Sequence, residues 1–201
     1  MSRKKPANPY RKPDRFAVQA KEEGYAARSV FKLREIDQRA RLLRPGQRVV
    51  DLGCSPGSWS TYAAERVGGR GVVLGVDIDE PAVRAGPVLV KSVLEVTADE
   101  ILAALGGPPD VFLSDMAPRT TGDPSGDHYI QIELATRAFE LAEATLVDGG
   151  SFVCKVFDGT DAHAFVQRIR ARFTDTKRVR PEAVRQNSRE FFVVSTGKLG
   201  P

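Results

Sequence analysis

The chain predicts a three-layer α/β sandwich around one mostly parallel sheet. Three observations carry that prediction. From residue 48 onward, short β-branched runs alternate with helical stretches, a glycine-rich turn joins the first run to a helix, and the last two strands are separated by only about ten residues. A parallel crossover needs a dozen or more, so the final strand is expected to run antiparallel.

Residues 1–24 are rich in Lys, Arg, Pro and Gly without sustained apolar periodicity, and read as a basic, mobile or loosely docked extension, with order starting near Tyr25. Residues 25–201 then read as a single domain. Val30, Leu33, Ile36 and Ala40 recur at three- and four-residue steps and predict a helix over 26–41, stopped by Pro45-Gly46. Strands follow at 48–52 and 71–77, flanking a helix over 58–67, with a short third strand at 88–90 and a helix over 98–105. Asp110-Val-Phe-Leu-Ser-Asp115 is the fourth strand. A long helix over 127–146 with Ile130, Leu134, Ala138, Leu141 and Ala142 on one face leads to the fifth strand, 151–156. A helix over 161–173 and strands at 176–180 and 191–196 complete the series.

The 201 residues suffice for one substantial core, and no apolar run approaches the roughly 20 residues that cross a bilayer. The amino terminus has no apolar signal core, so the expected location is cytoplasmic. Cys54 and Cys154 lack metal-ligand spacing and read as small buried hydrophobes, and no metal site is expected. His128 and His163 have no partner pattern and read as surface residues.

The net charge of +4 is unevenly spread. Residues 1–48 carry 14 Lys/Arg against 5 Asp/Glu, a net +9, whereas residues 49–201 carry 16 against 21, a net −5. A second basic stretch, Arg168–Arg189, holds eight Lys/Arg opposed only by Asp175 and Glu182. Two such clusters fit a polyanion-binding surface, because neutralised phosphates supply most non-specific nucleic-acid affinity.

The segment Val49-Val-Asp51-Leu-Gly53-Cys-Ser55-Pro56-Gly57-Ser-Trp59 is a strand, a glycine turn and a helix start, where an open helix end and a close backbone approach suit a nucleotide. Its GxxxG spacing differs from the GxGxxG dinucleotide fingerprint and argues against a nicotinamide cofactor. Asp77, ending the second strand, is placed to accept hydrogen bonds from two ribose hydroxyls. Lys155 stands out because Phe152-Val-Cys154 and Val156-Phe157 enclose it, and a charge in such a strand needs a reason. The loop Thr120–Gly126 is suited to close over a substrate or is merely a connection.

Asp51-x-Gly-x-x-Pro-Gly-x-Trp59 resembles the cofactor loop of S-adenosylmethionine-dependent methyltransferases, in particular the FtsJ/RrmJ-type ribosomal RNA 2′-O-ribose methyltransferases. Ala27-Arg-Ser-Val-Phe-Lys32-Leu33 resembles that family's opening helix, and Val111-Phe-Leu-Ser-Asp115-Met-Ala-Pro118 its fourth strand. Gly149-Gly-Ser-Phe-Val-Cys-Lys155-Val-Phe-Asp-Gly159 resembles its fifth, and Asn187-Ser-Arg-Glu190-Phe-Phe-Val-Val194 its last. The resemblance runs from about residue 25 to 198, in order. It implies a Rossmann-like methyltransferase fold and a catalytic tetrad of Lys32, Asp115, Lys155 and Glu190. The cofactor contacts it implies are Asp51, Gly53, Ser55, Pro56, Gly57, Trp59, Asp77, Ser92, Val93 and Asp115, with a core role for the ring as the alternative for Trp59. Ser92 is a departure, because many members carry an aspartate there for the adenine amino group.

A ribose 2′-hydroxyl is a weak acid, and its oxygen attacks a methyl group only if its proton is taken. A lysine can take it when burial and a second cation disfavour the charged form, whereas neighbouring carboxylates favour that form. Lys155 is expected as the base, Lys32 as the neighbouring cation and substrate contact, Asp115 as its orienter, and Glu190 as the network's fourth member. The resemblance implies 2′-O-methylation of a uridine in large-subunit ribosomal RNA, by a monomer needing no metal. Methylation of transfer RNA, or a catalytically silent RNA-binding assembly factor, are the rival readings.

Overall fold

A computed structural model describes residues 14–118 and 124–200. Helices α1 (Arg15–Glu22) and α2 (Val30–Ala40) precede β1 (Arg48–Leu52), α3 (Ser58–Val67) and β2 (Val72–Asp77). Then come β3 (Val88–Val90), α4 (Ala98–Leu105), β4 (Val111–Ser114), α5 (Pro124–Thr145), β5 (Ser151–Phe157), α6 (Ala162–Arg170), β6 (Phe173–Val179) and β7 (Glu190–Lys198). The seven strands form one sheet in the order β3-β2-β1-β4-β5-β7-β6. All ladders are parallel except the two that β7 makes, with β5 and β6. The antiparallel last strand is therefore as expected, and it lies inside the sheet, between β5 and β6.

Strand residues alternate between two cores, as the two-residue period of a strand demands. Val49, Val73, Leu113, Val153 and Phe192 face the layer of α1, α2 and α3. Val50, Leu74, Phe112, Phe152 and Val193 face α4, α5 and α6. The sheet is thus covered on both faces, which is why its central strands read as nearly continuous apolar runs.

Three differences from the sequence reading have physical causes. Regular structure begins at Arg15, not near Tyr25, because Asp14 caps the helix by accepting from the Phe16 amide and Phe16 packs on Phe31 with ring centres 5.5 Å apart. An amphipathic helix of eight residues is too short to announce itself by periodicity. Helix α5 starts at Pro124, inside the stretch assigned to a loop; the remaining loop positions 120–123 and the tail 1–13 lie outside the described residues. The basic stretch 168–189 divides between the two ends of the sheet. Arg168 and Arg172 pair with Glu140 and Glu143 of α5, at the end of α6 that leads into the start of β6. Because β6 runs parallel to β5, that end is opposite the carboxyl ends of β1, β4 and β5.

Candidate functional site

The turn after β1 is shaped by close approach. Gly53 has φ 77°, and a Cβ there would lie 2.7 Å from Met116 Cγ; Gly57 has φ 117°, and a Cβ there would lie 2.3 Å from the Val83 carbonyl oxygen. Both positions combine a left-handed backbone with absent space, so only glycine fits. The Ser55–Pro56 peptide is cis. Asp77 ties the turn to β2: its Oδ2 accepts from the Ser55 amide at 2.9 Å and its Oδ1 from the Asp79 amide at 3.0 Å. Each oxygen keeps a second acceptor direction for a ligand hydroxyl.

Gly53, Ser55 and Asp77 border a cleft of about 320 Å³ whose walls also include Ser92, Val93 and Asp115, with Ile78, Met116 and Leu134 as apolar sides. Ser92 contributes as a turn former, its Oγ accepting from the Leu94 amide at 3.3 Å.

Four expected cofactor contacts, Asp51, Pro56, Gly57 and Trp59, do not border the cleft, and Asp51 and Trp59 are placed beneath the turn. Trp59 is buried, its indole N–H donating to the Ser29 carbonyl at 2.8 Å and its ring lying 5.8 Å from that of Phe192. It thereby joins the turn's helix to α2 and β7, a core role that also uses its one polar atom. Asp51 is fully buried; Oδ2 accepts from the Ser60 hydroxyl at 2.6 Å, while Oδ1 has no hydrogen-bond partner. Burial, assisted by Asp115 and Asp77 nearby, pushes its carboxyl up to about 7. The thiols of Cys54 and Cys154 are likewise pushed up by burial to about 12, consistent with inert packing residues.

The four tetrad candidates converge. Lys32 Nζ lies 2.6 Å from Glu190 Oε1 and 3.8 Å from Asp115 Oδ1. Lys155 Nζ lies 3.1 Å from the same Asp115 Oδ1, though misaligned for a hydrogen bond with it, and donates to the Asp115 main-chain carbonyl at 2.6 Å. Asp115 therefore stands between the two lysines and also borders the cleft. Lys155 is buried, and the other three side chains are mostly enclosed. Topology explains the convergence. Asp115 follows the end of β4 and Lys155 lies in the carboxyl-terminal half of the parallel neighbour β5, whereas β7 runs the other way, so its first residue, Glu190, reaches the same edge.

Beside Lys32 and Glu190 opens a cavity of about 500 Å³ bordered by Arg28, Ser29, Arg185, Asn187 and Ser188. Asn187 and Ser188 also border a neighbouring cavity of about 580 Å³ that contains His128, Gly159, Asp161 and Arg189. His128 sits largely buried over Gly159, Nε2 3.4 Å from Asp161 Oδ2, and is not the surface residue expected from sequence.

Two structural side chains escaped the sequence reading. Arg180 donates to the carbonyls of Glu190 at 2.7 Å, Ser188 at 2.7 Å and Arg185 at 3.2 Å, holding the loop that carries Glu190. Gln131, buried on α5, bonds the backbone of β5 on either side of Val156. A glutamine on the apolar face of a long helix was the available signal for the second; nothing in a run of surface arginines distinguished the first.

Residues 25–198 match the FtsJ-like methyltransferase family. The chain is 47% identical over 204 residues to a protein of Sorangium cellulosum (strain So ce56) named ribosomal RNA large subunit methyltransferase E, covering 98% of this chain and 95% of that one. It is 43% identical to a protein of the same name from Desulfatibacillum aliphaticivorans, covering 99% and 96%. In fold it resembles a crystal structure from Plasmodium falciparum described as a ribosomal RNA methyltransferase, with a TM-score of 0.77, 22% identity, and coverage of 88% of this chain and all of that one. With a match that spans the glycine turn, all four converging side chains and the whole described sheet, the chain belongs to the FtsJ-like methyltransferase family.

Proposed function

We propose that this methyltransferase modifies the 2′-oxygen of a ribose in RNA, with large-subunit ribosomal RNA as the substrate and Lys155 as the base. The observation that carries the reading is the shared position of Asp115, which borders the cleft and separates Lys155 from Lys32 by contacts of 3.1 and 3.8 Å. The names of the relatives support the choice of RNA.

S-adenosylmethionine is the methyl donor of this family, and the residues present fit it. Asp77 offers acceptors for a ribose diol, Ile78, Met116 and Leu134 offer apolar walls for a purine, and the glycine turn offers backbone where a side chain would collide. Bound there, the cofactor supplies a methyl group on a cationic sulfur. The protein's own tasks are then positioning and proton removal. Asp115 orients Lys155 through its carboxylate and main-chain carbonyl, Lys155 takes the hydroxyl proton, and Glu190 holds Lys32 at the mouth of the basic cavity. Arg28, Lys32 and Arg185 on that cavity's walls give the RNA backbone cationic partners.

The test incubates the protein with labelled S-adenosylmethionine and, separately, ribosomal subunits, bare ribosomal RNA and transfer RNA, then maps the product. Label on a 2′-oxygen of large-subunit RNA is expected. Label on a base would sink the ribose assignment, and label confined to transfer RNA would replace the substrate.

A further inference from the structure

We propose that Gln131 is a positioning residue for the reaction, acting through Lys155 by standing in for a missing segment of β-strand. The parallel ladder between β4 and β5 ends at the pair Ser114 and Cys154. Continued in register, it would bring Asp115 beside Lys155 and Met116 beside Val156. Instead β4 ends at Ser114, and Asp115 and Met116 turn to border the cleft. That departure makes room for the site and leaves backbone groups on β5 without a ladder partner inside a buried region, where an unmade bond is costly.

Side chains fill the gap from both directions. Gln131 Nε2 donates to the Lys155 carbonyl at 2.6 Å, and Gln131 Oε1 accepts from the Phe157 amide at 3.0 Å. One donor to residue i−1 and one acceptor from residue i+1 is the pattern that a single residue of a neighbouring parallel strand supplies, here opposite Val156. Reciprocally, the Asp115 carbonyl on the departing strand is satisfied by Lys155 Nζ. The carboxamide of Gln131 thus fixes the backbone of Lys155 while the Lys155 ammonium spans the opening that the departure creates. Gln131 is 1% exposed, lines neither the cleft nor the cavity beside Lys32 and Glu190, and has no other polar partner among the described residues.

The inference rests on Lys155 as the base, and the test separates the two. Gln131→Met keeps length and removes both bonds. Gln131→Glu reproduces both bonds only while the new carboxyl is protonated. With Lys155 placed less accurately, Gln131→Met is expected to lower kcat by roughly ten- to a hundredfold with KM for cofactor and RNA within about twofold. Gln131→Glu should approach wild-type turnover at acidic pH and lose it as pH rises while the variant is still folded by thermal melt, a loss that a purely structural role would not produce. In a Lys155→Ala background, Gln131→Met should cause no further loss. A thermal melt records folding of each variant, and the Lys155 Cε resonance in selectively labelled protein reports its surroundings without any turnover. A shifted Lys155 resonance in Gln131→Met with an inactive wild type would overturn the base assignment and leave the positioning intact. An unchanged resonance, unchanged kcat, or losses that multiply in the double variant would overturn the positioning itself.

Discussion

The two halves of the active edge are built in opposite ways. On the β1–β2 side, the cleft depends on backbone: two glycines at φ 77° and 117° and amides tied to Asp77. On the β5–β7 side it depends on side chains drawn from α2, β5, β7 and the end of β4, meeting at distances of 2.6 to 3.8 Å. A backbone-built half tolerates almost no added volume; a side-chain-built half holds the groups to which proton transfer is assigned above. Binding and reaction should therefore fail separately.

The largest expected separation comes from Lys155→Met. Turnover should fall by roughly 10²–10⁴-fold, the usual worth of a positioned base, while cofactor affinity by calorimetry stays within about twofold. Equal losses in both would break the division between the halves. Gly57→Ala should do the reverse: a methyl 2.3 Å from the Val83 oxygen at a left-handed φ costs about 2 kcal/mol or more, visible as a lower melting temperature and weakened cofactor binding. Any turnover that remains at saturating cofactor should keep the wild-type pH profile.

Arg180→Ala probes the side-chain half at a distance from the reacting groups. Without three carbonyls held in place, the loop from Arg185 to Glu190 loosens, and kcat/KM for RNA should fall about tenfold, equivalent to roughly one net hydrogen bond. Unaltered RNA kinetics would mean that β7 pairing alone sets Glu190.

The smallest effect sharpens the backbone half. Asp51 titrates near 7 in the folded chain against an ordinary value of 3.8, so between those values the folded state holds a proton that the unfolded state has lost. Its contribution to stability therefore falls as pH rises across that window and is level above it. Asp51→Asn abolishes this slope, and the melting temperature of the variant relative to wild type should climb between about pH 4 and about pH 7 and then level off. A constant offset would place the carboxyl's titration outside this window.

The same contrast governs what could be read from sequence. The glycine turn is local, so Gly53, Gly57 and Asp77 were legible as a unit from spacing. Lys155 was legible from the apolar residues around it. Lys32 alone resembles any exposed helix lysine, and its place beside Asp115 and Glu190 follows from how β7 enters the sheet, which no local pattern encodes. For Trp59 the sequence left a core role and a cofactor contact both open, and Asp51 was legible as important and not as buried, because a motif fixes which residues cluster and not which way each side chain turns. Gln131 bonds across 24 to 26 positions and Arg180 binds carbonyls, which have no side-chain identity to read.

The place of β7 also bears on how the protein is made. It is the last strand in the chain, yet it completes the ladders on both its sides and delivers Glu190 to Lys32 on the second helix. A nascent chain emerging in order can form the cofactor turn early, but it holds an open seam between β5 and β6 until residues 190–198 have left the synthesising machinery. The turn can form before that seam closes; on the mechanism proposed above, methyl transfer waits for Glu190 to reach Lys32.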